Sequence, residues 1–204
     1  RERCLRSGFT TPPRFSASSL WSYATRPRWT LDYVFGPKFR LPNLDGHVQE
    51  GSGKSVSIQD YFNTMLDTNM DWDTAARIRQ DWGGTFALKG VMSAADARRA
   101  VEIGADAIWI SHHGGRQLDG SRAPFDQLRE IVDAVGGEIE IVLDGGVRRG
   151  THALKGLAAG ATAASGGRLY LYALAAAGQE GVERAIEILK EEIERGMRLM
   201  GVTS

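Results

Sequence analysis

Residues Ile110 to Gly120 read ISHHGGRQLDG, placing two imidazoles, two positions without side chains and a guanidinium in direct succession. Each supplies a different chemistry. A neutral imidazole is the side chain best suited to accept a proton near physiological pH. Gly114 and Gly115 leave room for a flat ligand, and Arg116 offers the planar fork that grips a carboxylate. A base beside a carboxylate clamp suits proton abstraction from a small acid. The plainer alternative is a hydrogen-bonded histidine and a surface ion pair. Adjacent side chains of an extended strand point to opposite sides, so His112 and His113 are expected to divide the work rather than share it.

Two further clusters suit an anion. LDGGVRRG (Leu143 to Gly150) brings Asp144, Gly145, Gly146 and Arg148 to the end of an apolar run, and GGR repeats the device at Gly166, Gly167 and Arg168. Successive glycines before a helix let backbone N–H groups approach a phosphate, and an arginine adds a charge-assisted contact. Two tight turns with surface arginines are the bland reading; their position on successive final strands favours phosphate. Lys89 closes another apolar run, where an ammonium either snorkels to the rim or stabilises charge on a cofactor ring. EGSGKSVS (Glu50 to Ser57) superficially resembles a nucleotide loop. It lacks the first glycine, Val48 standing there, and no strand precedes it, so it reads as a plain loop.

What positions these groups is a regular alternation. TFALKG, DAIWIS, IEIVLDGG and the weaker ATAASGG read as strands. Helices follow across SAADARRAVEIG (Ser93 as N-cap, Asp96 in the first turn), FDQLREIVDAVG and THALKGLAAG. Val182, Ala185, Ile186, Leu189, Ile193 and Met197 mark an amphipathic helix within Gly181 to Gly201. Apolar strands joined by helices predict a parallel α/β sheet, and every polar cluster sits just after a strand, where barrels carry their sites. A doubly wound sheet also binds ligands at strand ends and stays open as an alternative. Four βα units supply half of a (β/α)8 barrel.

Residues 1–71 read differently, as an irregular, lid-like segment punctuated by Pro12, Pro13, Pro27, Pro37 and Pro42 and rich in aromatic and basic residues; residues 72–204 hold the βα units. The net charge of zero argues against a general nucleic-acid binder. It hides an asymmetry, with eight Lys/Arg against two Asp/Glu in residues 1–40. The single cysteine, Cys4, cannot form an internal disulfide, which favours a reducing compartment. The longest apolar run, Leu169 to Ala177, is far short of the ~20 residues of a membrane span. The chain does not begin with Met, and a fragment of a longer protein is expected. No metal-ligand pattern is expected.

ISHHGGRQLDG, LKG, DGGVRRGT and GGRLYLYALAAAG together resemble the FMN-dependent α-hydroxy-acid dehydrogenase/oxidase family, whose members include L-lactate dehydrogenase, L-mandelate dehydrogenase and glycolate oxidase. The resemblance is strong from about Trp72 onward and looser at RERCLRSGFTTPP. It implies a TIM barrel, of which this chain is the C-terminal half, with FMN as cofactor and a small L-2-hydroxy acid as substrate. His113 would be the base, Arg116 the carboxylate clamp and Lys89 the cation at the flavin edge. Asp144 would meet the ribityl chain, with Gly145, Gly146, Arg148, Gly167 and Arg168 around the phosphate and Ser111 close to the ring. His112 stands where the family has Asn, His152 where it has Asp, and Cys4 where it has Asp; AASG (Ala163 to Gly166) replaces an apolar strand. The family's first four strands have no counterpart here.

The resemblance further implies an electron acceptor (quinone, cytochrome or oxygen). The unpaired outer strands of a half-barrel predict a homo-oligomer, and the zero net charge predicts no nucleic-acid partner. The expected location is cytoplasmic, with peripheral contact at the inner face of a membrane through residues 15–39. Two competing readings are another FMN barrel such as an isomerase, and a non-catalytic half-barrel that binds a phosphate ligand or joins a partner half.

Overall fold

The computed structural model describes residues 16–36, 67 and 69–203, and divides the chain into two units, Arg1–Leu66 and Asp67–Ser204. In the first unit the described residues form a helical hairpin, α1 (Ala17–Ala24) and α2 (Pro27–Phe35). Ser16 opens α1 through a reciprocal capping box with Ser19, and Pro27 takes the first position of α2, where its missing N–H costs nothing. Two short helices thus stand within the segment read as irregular, their starts set by local capping. Tyr23, Trp29 and Tyr33 stack with ring centroids 5.6 and 5.3 Å apart. No hairpin residue is buried. Cys4, RERCLRSGFTTPP and the EGSGKSVS loop lie outside the described residues.

The second unit runs α3 (Trp72–Trp82), β1 (Ala87–Val91), α4 (Ala94–Glu102), β2 (Ala107–Ser111), α5 (Pro124–Val135), β3 (Glu140–Asp144), α6 (Gly150–Ala158), β4 (Ala163–Ser165) and α7 (Arg168–Met200). The four strands pair in parallel in the order β1-β2-β3-β4. A doubly wound sheet reverses its strand order at a switch point. This sheet steps one way only, as a barrel wall does.

Alternation along the strands sorts residues between two faces. Ile108, Ile110, Ile141 and Leu143 are fully buried under the helices, with Leu128, Ile131 and Val135 of α5 packed against them at helical spacing. Each such side chain contributes roughly 1.5–3 kcal/mol by leaving water. The opposite face, with Lys89, Trp109, Val142 and Ala163 in register, is half-buried or exposed. A sheet covered on both faces is thus not what this unit presents: its helices cover one face only.

Helix starts follow the sequence closely. Ser93 Oγ accepts the Asp96 N–H at 3.1 Å and donates to the Asp96 carboxylate at 2.8 Å, capping α4. The last helix begins earlier than its amphipathic pattern predicts. It starts at Arg168 and breaks at Ala177–Gly178 before continuing through the predicted stretch. Val182, Ala185, Leu189, Ile193 and Met197 are half-buried, whereas Ile186 is exposed.

Candidate active site

At the carboxyl ends of the strands lies a cleft of about 660 Å³, lined from β1 by Lys89 and from the β2 turn by His112, His113, Gly114, Arg116 and Gln117. The segments after β3 and β4 complete it with Asp144, Gly145, Gly146, Val147, Arg148, Gly167, Arg168, Leu169 and Leu171. Nine of the ten residues expected from sequence to form a site therefore border one space; the tenth, Ser111, is 1% exposed and lies beneath it.

The floor is a polar triangle on the inner face of the sheet. Lys89 Nζ sits 2.7 Å from Asp144 Oδ2 and donates to Ser111 Oγ at 2.9 Å, and Ser111 Oγ donates to Asp144 Oδ2 at 2.8 Å. Parallel register explains the meeting, since Ser111 pairs with Asp144 and Lys89 with Trp109 on the same face. Burial alone pushes the Asp144 carboxyl up. The hydrogen bonds from Lys89 and Ser111 and the charges of Lys89 and His113 outweigh it and hold Asp144 below its ordinary value of 3.8.

The two histidines lie beyond the end of β2, so strand alternation does not set their directions; the turn that follows the strand does. His113 has a φ of 55°, the only positive φ outside glycine among the described residues, and starts a single 3₁₀ turn, His113–Gly115. Its ring lies over Gly90, where an added Cβ would sit 3.0 Å from Cε1. Gly90 is thus the seat of His113, a role the LKG motif alone does not disclose. The His112 ring packs instead against Gly145, 3.1 Å from a hypothetical Cβ, and its buried Nδ1 has no hydrogen-bond partner. Both rings border the cleft, one beside β1 and the other beside β3.

The neighbouring arginines also separate. Arg149 pairs with Glu192 at 3.2 Å, away from the cleft lining, while Arg148 faces the cleft. Arg168 begins α7, whose N-cap, Gly167, offers no side-chain cap, and its guanidinium donates to the Gly114 carbonyl. Arg148, Arg168 and the N-terminus of α7, which has no side-chain cap, border one corner of the cleft, where they could receive an anion. Leu169 and Leu171 give the cleft an apolar side; in the sequence they are hidden within the longest apolar run.

The family model described as FMN-dependent dehydrogenase matches residues 1–204. The chain belongs to this family. It is 39% identical over 183 residues to a pre-mycofactocin synthase of Mycolicibacterium smegmatis, with 88% of this chain and 45% of the relative covered. An L-lactate dehydrogenase of Alcaligenes faecalis is 38% identical over 211 residues, covering 100% of this chain and 54% of the relative. Among solved structures, a monotopic membrane protein, (S)-mandelate dehydrogenase, matches with a TM-score of 0.85 and 34% identity over 99% of this chain and 53% of its own. The chain spans about half the length of the curated relatives it matches. As an FMN-dependent dehydrogenase family member it carries a donor set that fits the cofactor. The Arg148–Arg168 corner suits a phosphate, Asp144 a ribityl hydroxyl, and the Lys89 ammonium an electron-rich ring edge.

Proposed function

We propose that this chain carries the catalytic floor of an FMN-dependent oxidation of a small L-2-hydroxy acid, lactate- or mandelate-like, to the 2-oxo acid. The observation that supports this most is the single cleft shared by a base seated on Gly90, an exposed guanidinium three residues on, and a two-arginine anion corner. In this reading Arg148, Arg168, Gly145, Gly146 and Gly167 hold the FMN phosphate, Asp144 the ribityl chain and Lys89 the ring edge. FMN supplies the two-electron acceptor. Arg116 grips the substrate carboxylate through paired N–H donors and so fixes which face of C2 is presented. His113 takes the C2 hydroxyl proton as the C2 hydrogen departs with its electron pair, and keeps that proton as imidazolium. The Asp144 carboxyl, held below its ordinary value of 3.8, is a negative charge close to that site.

The decisive experiment adds FMN to the purified chain, follows flavin fluorescence for binding, and then adds L-lactate or L-mandelate without oxygen. Bleaching of bound flavin is expected. Binding without bleaching by either acid points to the competing non-catalytic half-barrel, and no FMN binding at all sinks the catalytic reading.

We further propose peripheral contact with an anionic membrane surface through the α1–α2 hairpin. Trp21 and Phe35 are 73% and 81% exposed there, and Arg26 and Arg28 lie in the same hairpin. Tryptophan and basic side chains together favour an interface between water and lipid. No helix among the described residues is long and apolar enough to cross a membrane. Co-sedimentation with vesicles containing phosphatidylglycerol at low salt is expected, and loss of binding in Trp21→Ser/Phe35→Ser. Equal recovery of both proteins in the supernatant would remove the proposal.

A further inference from the structure

A second cavity, of about 290 Å³, opens beside the β3–α6 turn. Gly145, Gly146 and Val147 of that turn border both this cavity and the cleft, whereas His113, Arg116, Arg148 and Arg168 border the cleft alone. The remaining walls come from the end of β3, the start of α5 and α6. Their chemistry is uneven. Phe125, Leu143 and Val147 make an apolar side, and Phe125 is 45% exposed although Leu128, Ile131 and Val135 of the same helix are buried. Lys155 and the half-buried His152 make the other side. No carboxylate lines the space.

We propose that this cavity is a binding site for a small carboxylate with an aromatic body, separate from the flavin cleft. Its volume lies at the lower end for ligand pockets, which suits a single ring with one charged head. The ring packs on Phe125 and Leu143, and the carboxylate meets Lys155 and His152. Two observations direct the charge. Lys155 has no ion pair or hydrogen bond among the described residues, so its ammonium is uncommitted. His152 is oriented by its other nitrogen: the Arg148 N–H donates to Nδ1 at 3.3 Å, which leaves the hydrogen of the neutral ring on Nε2. An imidazolium would donate from Nδ1 to the Gly146 carbonyl, also 3.3 Å away, and keep the Nε2 hydrogen as well. In both states Nε2 is a donor without a partner among the described residues.

The residue type at position 152 decides the sign of the cavity. An aspartate there, as in the resembling family, would also accept the Arg148 N–H. It would stand three residues before Lys155 on α6, however, and neutralise the ammonium. Histidine keeps the local acceptor and removes the negative charge. An anion then finds two donors where it would otherwise find an ion pair.

Fluorine NMR of 4-fluorobenzoate with the full chain, without FMN, tests the proposal. Broadening of the ligand line with a Kd on the order of 1 mM is expected for a ligand of this size. Lys155→Gln should weaken binding about fivefold, and His152→Asp about tenfold, since the new carboxylate pairs with Lys155 and repels the ligand. Arg116→Gln should leave binding unchanged, which separates this cavity from the clamp in the cleft. Neutral 4-fluorobenzyl alcohol should bind about fivefold more weakly, and equimolar inorganic phosphate should not displace the acid.

No broadening overturns the proposal, and so does equal affinity in wild type and His152→Asp. Loss of binding in Arg116→Gln moves the ligand to the cleft, displacement by phosphate makes the site one for any anion, and equal binding of the alcohol makes it merely apolar; each outcome overturns the assignment. Binding here needs neither FMN nor a reaction. Failure of flavin bleaching and failure of fluorobenzoate binding are therefore distinguishable results.

Discussion

His112 and His113 are neighbours with opposite surroundings, and that difference sets what each substitution should do. His113 is seated over Gly90 and tied by its N–H to Ser111; His112 lies against Gly145 with a buried, unpartnered Nδ1. Removing a general base costs about 10²–10⁴-fold in rate. His113→Gln is therefore expected to bind FMN normally and lose flavin reduction by that factor in anaerobic stopped flow. His112→Asn restores the amide found in the resembling family and is expected to leave reduction nearly intact. The reverse pattern would exchange their roles. Asp144 adds a pH dependence whose direction is set. Its folded pKa lies below the unfolded value of 3.8, so its stabilisation is complete above 3.8 and disappears as the pH falls through the folded value. Asp144→Asn should accordingly melt lower than wild type at pH 7, with the gap in Tm narrowing below pH 3.8. A gap that widens in acid would contradict the geometry of the Lys89–Ser111–Asp144 floor.

At the scale of elements, the contact between α6 and α7 governs how the anion corner is held. A Cβ on Gly150 would lie 2.7 Å from Glu192 Cβ and from the Ile193 backbone nitrogen. The Gly150 N–H donates to Glu192 Oε2 at 2.7 Å, so a carboxylate from α7 caps α6 while also pairing with Arg149. Gly150→Val must push the helices apart and is expected to cost roughly 1–3 kcal/mol, an overpacking penalty read from the urea midpoint. Glu192→Gln keeps the packing and should cost less.

Much of this architecture is legible in the sequence because local signals agree with tertiary demand. Ser93 caps α4, Pro124 starts α5 beside the expected Phe125, and each polar cluster marks a strand end. The first part of α7 is not legible, since Leu169 to Ala177 is apolar on every side and no polar face sets a helical period. Nor are Gly90 as the seat of His113 or the meeting of Lys89, Ser111 and Asp144. Both depend on parallel register, which brings together residues 22 (Lys89 and Ser111) and 33 (Ser111 and Asp144) positions apart in the chain.

For the molecule as a whole, the decisive feature is a parallel sheet with helices on one side only. Parallel strands are ordinarily covered on both faces. In this unit the inner face carries Trp109 and Val142 half-buried and Ala87 and Ala163 exposed, with β1 and β4 as the outer strands of the sheet. Unpaired strand edges beside apolar surface are a template for association with other chains. The isolated chain is therefore expected to elute from size-exclusion chromatography as dimers or larger assemblies at micromolar concentration. Placing a charge on the exposed β4 edge tests whether that edge is responsible, because lysine is the residue natural edges use against pairing. Ala163→Lys should shift the elution toward monomer, while Lys190→Ala, on the exposed side of α7, should not. A sharp monomer peak for wild type with a single cooperative unfolding transition would show that this unit's open face is satisfied within the chain.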